Sequence, residues 1–147
     1  MNKRYYPYQE FRDDLKLLTE KIDVEFDTIV GIARGGLSMA LMLGEYYDMR
    51  SVYSINTIGY QDTQKLDSVN VFNIPNLNNS KRVLIVDDIV DSGDTLIEVI
   101  EVLNQKYPQI EIITASIFYK TTAKIEPDYY AKETDEWIEF FWSVDLR

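Results

Sequence analysis

Residues 83–96 read VLIVDDIVDSGDTL. Val83–Val86 is apolar and mostly β-branched, the composition of a buried strand. Two acids follow, Asp87 and Asp88, and a third, Asp91, stands four residues after the first. Then come the small residues Ser92 and Gly93 with Asp94 and Thr95, and a helical pattern begins. Leu96, Val99, Ile100 and Leu103 fall at i, i+3, i+4 and i+7, which predicts a helix over 94–106. Carboxylates crowded at a strand end cost solvation energy unless a cation, a hydroxyl-rich ligand or backbone donors compensate.

Outward from this centre the chain alternates. Phe11, Leu15, Leu18 and Ile22 mark an amphipathic helix over 8–22. Residues 28–33 read as a buried strand and 37–47 as a helix, with Leu37, Ala40, Leu41 and Gly44 on its inner face. Strands are expected at 51–56 and 69–74, a polar loop at 58–68, and a turn cluster at PNLNNSK, 75–81. A strand over 82–86 precedes the helix, Pro108 ends that helix, and 111–118 is a further strand. The tail PDYYAKETDEWIEFFW, 127–142, reads as extended and aromatic. The alternation predicts an α/β fold: a mostly parallel twisted sheet with helices on both faces, in one domain over 1–147.

Composition narrows the chemistry. The 147 residues carry 15 Lys and Arg against 25 Asp and Glu, a net charge of −10, which argues against a general nucleic-acid surface. No apolar run approaches the roughly 18 residues of a membrane span, and MNKRYYPYQE lacks the apolar core of a signal peptide; the expectation is a cytoplasmic protein without a membrane partner. Cysteine and histidine are absent. Thiolate zinc sites and Ser-His or Cys-His dyads are therefore excluded, and a general base near neutral pH is a carboxylate, lysine, tyrosine or the substrate itself.

Helix-start N–H groups carry partial positive charge, and the hydroxyls of Ser92 and Thr95 with the bare backbone of Gly93 complete a phosphate cradle. Taken alone, DSGDT is more often a helix cap made by Asp91 or Ser92 than a phosphate site. The paired acids upstream favour a sugar phosphate, with acids for ribose hydroxyls or hydrated Mg2+. No GxxxxGK[ST] P-loop occurs.

The stretch VLIVDDIVDSGDTL resembles the phosphoribosyl pyrophosphate signature of the type I phosphoribosyltransferases, with every position in order. The resemblance implies that fold, with a small hood, and transfer of ribose 5-phosphate from phosphoribosyl pyrophosphate to a nitrogenous base with Mg2+. It implies Asp87 and Asp88 at the ribose hydroxyls and the metal's water shell, and Asp91 as proton acceptor at the base. Ser92, Gly93, Asp94 and Thr95 would wrap the 5-phosphate, the Asp94 side chain turning away from it. GIARGG, 31–36, is similar to the family's pyrophosphate loop, giving Arg34, Gly35 and Gly36 to the leaving group. Residues 58–68 fall where the family has its hood, from which Lys65 would reach the pyrophosphate.

Lys120 after the strand at 111–118, and DEWIEFFW at 135–142, look like the compact purine-salvage members, the xanthine-guanine and hypoxanthine enzymes. Carried over, Lys120 donates to the purine 6-oxo group while Trp137 and Ile138 supply apolar walls and backbone contacts. Phe141 replaces the family's proline before the last tryptophan. A homodimer or homotetramer is implied, and Tyr46, Tyr47, Tyr129 and Tyr130 suit a subunit interface. A non-catalytic sensor of phosphoribosyl pyrophosphate and a pyrimidine phosphoribosyltransferase stand as alternatives.

Overall fold

The computed structural model describes residues 2–60 and 68–147. Its centre is a six-stranded sheet in the order β4-β3-β2-β5-β6-β7. These strands are β2 (Thr28–Ala33), β3 (Val52–Tyr60), β4 (Ser68–Phe72), β5 (Arg82–Val90), β6 (Glu111–Tyr119) and β7 (Tyr129–Glu133). All neighbours are parallel except the β3–β4 edge pair. A separate two-stranded parallel ladder joins β1 (Lys3–Tyr6) to β8 (Trp137–Phe140).

Side-chain alternation divides the core into two layers. Ile29, Leu84, Val86 and Ala115 face one side, where α1 (Tyr8–Lys21) contributes Phe11, Leu15 and Leu18 and α2 (Leu37–Tyr46) contributes Met39, Ala40 and Leu43. Val30, Ile32, Val83 and Ile85 face the other, against Leu96, Val99 and Leu103 of α3 (Asp94–Lys106). The inner strands β2 and β5 thus bury both faces, and this explains their continuous apolar runs.

The structure corrects several expectations. β5 runs through Val90, so Asp87 and Asp88 lie inside the strand and not beyond it; Asp87 pairs with Ser116 and Val90 with Tyr119. A neighbouring strand supplies ladder partners whatever the side chain, so polarity alone ended the strand reading too early. β3 likewise continues through Tyr60, because Ile58 and Gly59 pair with Asn70 and Val69 of β4. The hood loop read at 58–68 is therefore strand at both ends, and Lys65, with the rest of 61–67, lies outside the described residues. In α2 the buried face is Met39, Ala40, Leu43 and Gly44, while Leu41 is 63% exposed. A helix apolar all round gives no clear phase. The aromatic tail resolves into β7, β8 and a short helix α4 (Phe141–Val144), with Trp142 stacked on Phe140 at 4.7 Å and edge-on to Phe11. β1 was not foreseen: four residues with two basic side chains carry no strand period.

Of the four tyrosines read as interface residues, Tyr46 is exposed at 65%, its ring edge-on to Tyr47 at 4.8 Å. Tyr47 packs edge-on against Phe26, Tyr129 donates to Asp23, and Tyr130 lies on Tyr119. No helix among the described residues is long and apolar enough to cross a membrane.

Candidate active site

Strand order fixes where a ligand sits. From β2 the chain crosses through α2 to β3 on one side; from β5 it crosses through α3 to β6 on the other. The connections after β2 and β5 diverge, and the crevice between two such carboxyl ends is where parallel sheets hold ligands. Arg34–Gly36 follow β2, and Asp87–Thr95 end β5 and open α3. A wider hollow of about 430 Å³ lies at the amino ends of β2 and β3, lined by Asp27, Ser51 and Asn79. The cleft of about 240 Å³ lined by Asp87–Gly93, Thr95 and Leu96 is smaller, but it has the diverging loops and the helix start.

The two loops touch. A Cβ on Gly35 would overlap the Asp88 carboxylate, so only glycine lets the Arg34–Gly36 turn close over the acid pair. The Ala33–Arg34 peptide is cis. Gly36 caps α2 and its carbonyl accepts from the Ala40 N–H. Arg34 is exposed, and its guanidinium makes no ion pair among the described residues.

Asp87 and Asp88 are half-buried, and the Asp88 N–H donates to Asp87 Oδ1 at 2.9 Å. Burial, then the Asp88 charge, push Asp87 well above the ordinary carboxylate range. Burial pushes Asp88 up to about 6, opposed by hydrogen bonds from Asp87 and from the backbone. Two reluctant anions side by side are a poor resting state and a good seat for a cation or a set of hydroxyls. They fit Mg2+, which is typically held by one or two carboxylates plus substrate oxygens and its own waters. Among the described residues no group of three or more carboxylates forms an all-protein metal cage.

The helix start is open. Gly93 is the cap residue at φ +90°, and the first intrahelical bond runs from Ile97 N–H to its carbonyl at 3.0 Å. The earlier N–H groups of Thr95 and Leu96 lie beside the cleft. Ser92 Oγ accepts the Asp94 N–H at 3.2 Å and keeps its own proton to donate. Of the two cap candidates, Ser92 accepts the first helical N–H and Asp91 does not: Asp91 is 60% exposed and paired with Lys120, Nζ to Oδ1 3.2 Å. Of residues 91–96, all but Asp94 line the cleft; Asp94 turns to Lys124 at 2.7 Å.

Lys120 is brought to the cleft by its own backbone, its N–H donating to the Val90 carbonyl at 3.0 Å. Trp137 and Ile138 arrive from the far end of the chain. Thr134 N–H bonds the Tyr119 carbonyl at 3.0 Å, so Trp137 starts three residues, roughly 10 Å of chain, from the strand end that carries Lys120. Trp137 is 53% exposed; Ile138 is 9% exposed, its side chain packed in the core and its backbone paired with Arg4 of β1, so it stands as no apolar wall of the cleft. Sequence reasoning missed Lys124, which carries no motif, and the β1 ladder that holds residues 137–140.

A family model described as phosphoribosyl transferase domain matches residues 2–147. This chain belongs to that family. The xanthine-guanine phosphoribosyltransferase of Cereibacter sphaeroides is 32% identical over 123 residues, covering 81% of this chain and 70% of the relative. The Helicobacter pylori xanthine-guanine-hypoxanthine phosphoribosyltransferase superposes with a TM-score of 0.91 at 38% identity, covering 99% of this chain and 96% of the other. A purine phosphoribosyltransferase from Pyrococcus horikoshii gives a TM-score of 0.82 at 32% identity, with 97% and 95% covered. Phosphoribosyltransferase folds of this kind are mostly parallel α/β sheets, as observed here.

Proposed function

We propose that this protein is a purine phosphoribosyltransferase of purine salvage, transferring ribose 5-phosphate from phosphoribosyl pyrophosphate to hypoxanthine, guanine or xanthine and releasing pyrophosphate. The observation that carries the reading is the Lys120–Asp91 pair at 3.2 Å on the rim of the cleft. A 6-oxopurine presents an acceptor, the 6-oxo oxygen, beside a ring N–H on one edge. A lysine donor next to a carboxylate acceptor matches that order. Adenine offers an amino donor where Lys120 also donates, so the same pair disfavours it. The relatives named for purines supply the same substrate class.

The 5-phosphate sits on the N–H groups opening α3 with the Ser92 and Thr95 hydroxyls, fixing the sugar at a point remote from the reaction. Asp87 and Asp88 accept the ribose hydroxyls and would hold Mg2+. Bound there, Mg2+ would supply charge neutralisation of the leaving pyrophosphate. Arg34 and the N–H groups of Gly35 and Gly36 bind that pyrophosphate; Lys65 is assigned to it as well. The purine nitrogen attacks the ribosyl carbon as the bond to pyrophosphate breaks, and Asp91 accepts the ring proton. Lys120 holds the 6-oxo oxygen, and Trp137 with the backbone at Ile138 borders the ring. A homodimer or homotetramer working in the cytoplasm completes the reading.

The test is pyrophosphate release with phosphoribosyl pyrophosphate, Mg2+ and each of hypoxanthine, guanine, xanthine, adenine, uracil and orotate. Release with a 6-oxopurine, lost on chelation, is the expected result. Release with a pyrimidine alone overturns the roles of Lys120 and Trp137. Binding of phosphoribosyl pyrophosphate without release from any base identifies a sensor.

A further inference from the structure

One acid stands in the first turn of α3, beside the place assigned to a phosphate dianion: Asp94. An uncompensated carboxylate there opposes the ligand, since two anions within a few ångströms repel. Its carboxylate meets Lys124 Nζ at 2.7 Å, on the connection between β6 and β7. The same residue is tied through its backbone, Lys124 N–H donating to the Ser92 carbonyl at 2.8 Å. The connection presses on the loop from behind: a Cβ at Gly93 would come within 3.2 Å of the backbone nitrogens of Lys124 and Ile125. At its near end the connection starts from Lys120, whose carbonyl accepts the Ala123 N–H at 2.9 Å.

We infer that Lys124 is a positioning residue of the phosphate loop, which draws the Asp94 carboxylate away from the bound 5-phosphate and cancels its charge. The inference rests on the assignment of residues 92–95 to that phosphate. The lowering of the Asp94 carboxyl below its usual range, first through its hydrogen bond with Lys124, agrees with the pairing. The consequence is specific. Without Lys124, Asp94 is an unneutralised anion at the mouth of the helix. The loss is one of sugar-phosphate affinity and not of chemistry at the base, and removing the Asp94 charge repairs it. A lysine that merely supported the fold would not be rescued this way.

The experiment compares wild type, Lys124→Ala and the double variant Lys124→Ala with Asp94→Asn. It measures KM for phosphoribosyl pyrophosphate, KM for the purine, kcat, and ribose 5-phosphate binding by calorimetry in the absence of purine. Lys124→Ala is expected to weaken ribose 5-phosphate binding and raise KM for phosphoribosyl pyrophosphate about tenfold, with kcat and the purine KM little changed. The double variant is expected to recover most of that loss. Equal binding by wild type and Lys124→Ala overturns the inference, as does a double variant no better than Lys124→Ala. Wild type that binds no ribose 5-phosphate shows instead that the phosphate assignment itself is wrong.

Discussion

The partner of Asp91, Lys120, is already in place, and the exposure of Asp91 keeps it within reach of a ligand. Replacing it with Asn keeps the shape and hydrogen-bonding size but removes the acceptor of the ring proton. Turnover is expected to fall about 10²- to 10⁴-fold in Asp91→Asn, while phosphoribosyl pyrophosphate binding by calorimetry stays near wild type. Turnover equal to wild type would remove Asp91 from the mechanism. Asp88 makes a second residue-scale prediction. Its folded pKa, about 6, is above the ordinary carboxylate value, so ionising it costs the folded state more than the unfolded one. Its contribution is fully present below the unfolded pKa and is lost as pH rises through about 6. Asn cannot ionise, so the stability of Asp88→Asn relative to wild type should rise from about pH 4 to about pH 6 and hold above it, in urea unfolding without ligand. A relative loss over that interval contradicts the burial argument. The motif named these residues; it did not contain the Lys120–Asp91 and Lys124–Asp94 pairs. Their partners lie 29 and 30 residues apart in sequence, brought together by the parallel β5–β6 ladder and, for Lys124, by its N–H bond to the Ser92 carbonyl.

At the scale of elements, the boundaries that mattered were the ones composition misread. Helix α3 was legible to the residue because its apolar period, its opening glycine and Pro108 agree. The carboxyl halves of β3 and β5 were not, since their hydrogen bonds go to neighbours the local sequence does not name. The β1–β8 ladder is the extreme case, joining Arg4 to Ile138. An isolated two-stranded pair is marginal in water. Here Tyr6 fastens it, fully buried, edge-on to Phe118 at 4.9 Å and to Phe140 at 5.6 Å, its hydroxyl donating to Asp14. Lys132 of β7 closes on Asp14 at 3.2 Å. Tyr6→Phe keeps the ring contacts and deletes one hydrogen bond to a charged group. It should cost about 1.5–3 kcal/mol in urea unfolding, because the Asp14 carboxylate is left short of a donor while buried. If β1 also sets the position of Trp137, the purine KM should rise in Tyr6→Phe while that for phosphoribosyl pyrophosphate holds. A rise in the latter alone would mean the ladder serves another part of the cleft.

For the whole molecule, the layered fold and the phosphate end of the cleft follow from one strand-loop-helix and the βα alternation around it. The end facing the base depends on residues 2–6 and 129–140 meeting across the chain, which periodicity does not encode. Charge operates at this scale too. A net −10 must admit a ligand that is itself a polyanion. Among the described residues the cations near the cleft are few: Lys120 and Lys124 each face an aspartate, and Arg34 makes no ion pair. On the proposed function, the positive charge of these described residues falls short of the ligand's negative charge, and the acid pair Asp87–Asp88 would add to the deficit until a divalent cation neutralised it. Mg2+ alone has only two half-buried carboxylates to bind, and phosphoribosyl pyrophosphate alone meets them as a repulsive wall. Together they should bind cooperatively. At about 100 times the dissociation constant, binding adds about 2.7 kcal/mol to folding stability. For a chain of this size that is a rise in Tm of roughly 5–10 °C, with a much smaller shift from either component alone. Differential scanning fluorimetry with Mg2+, phosphoribosyl pyrophosphate and both reads this directly. Equal shifts with and without Mg2+ would mean that Asp87 and Asp88 are satisfied by ribose hydroxyls alone, and that Arg34 with the helix start suffices to hold the pyrophosphate and the 5-phosphate.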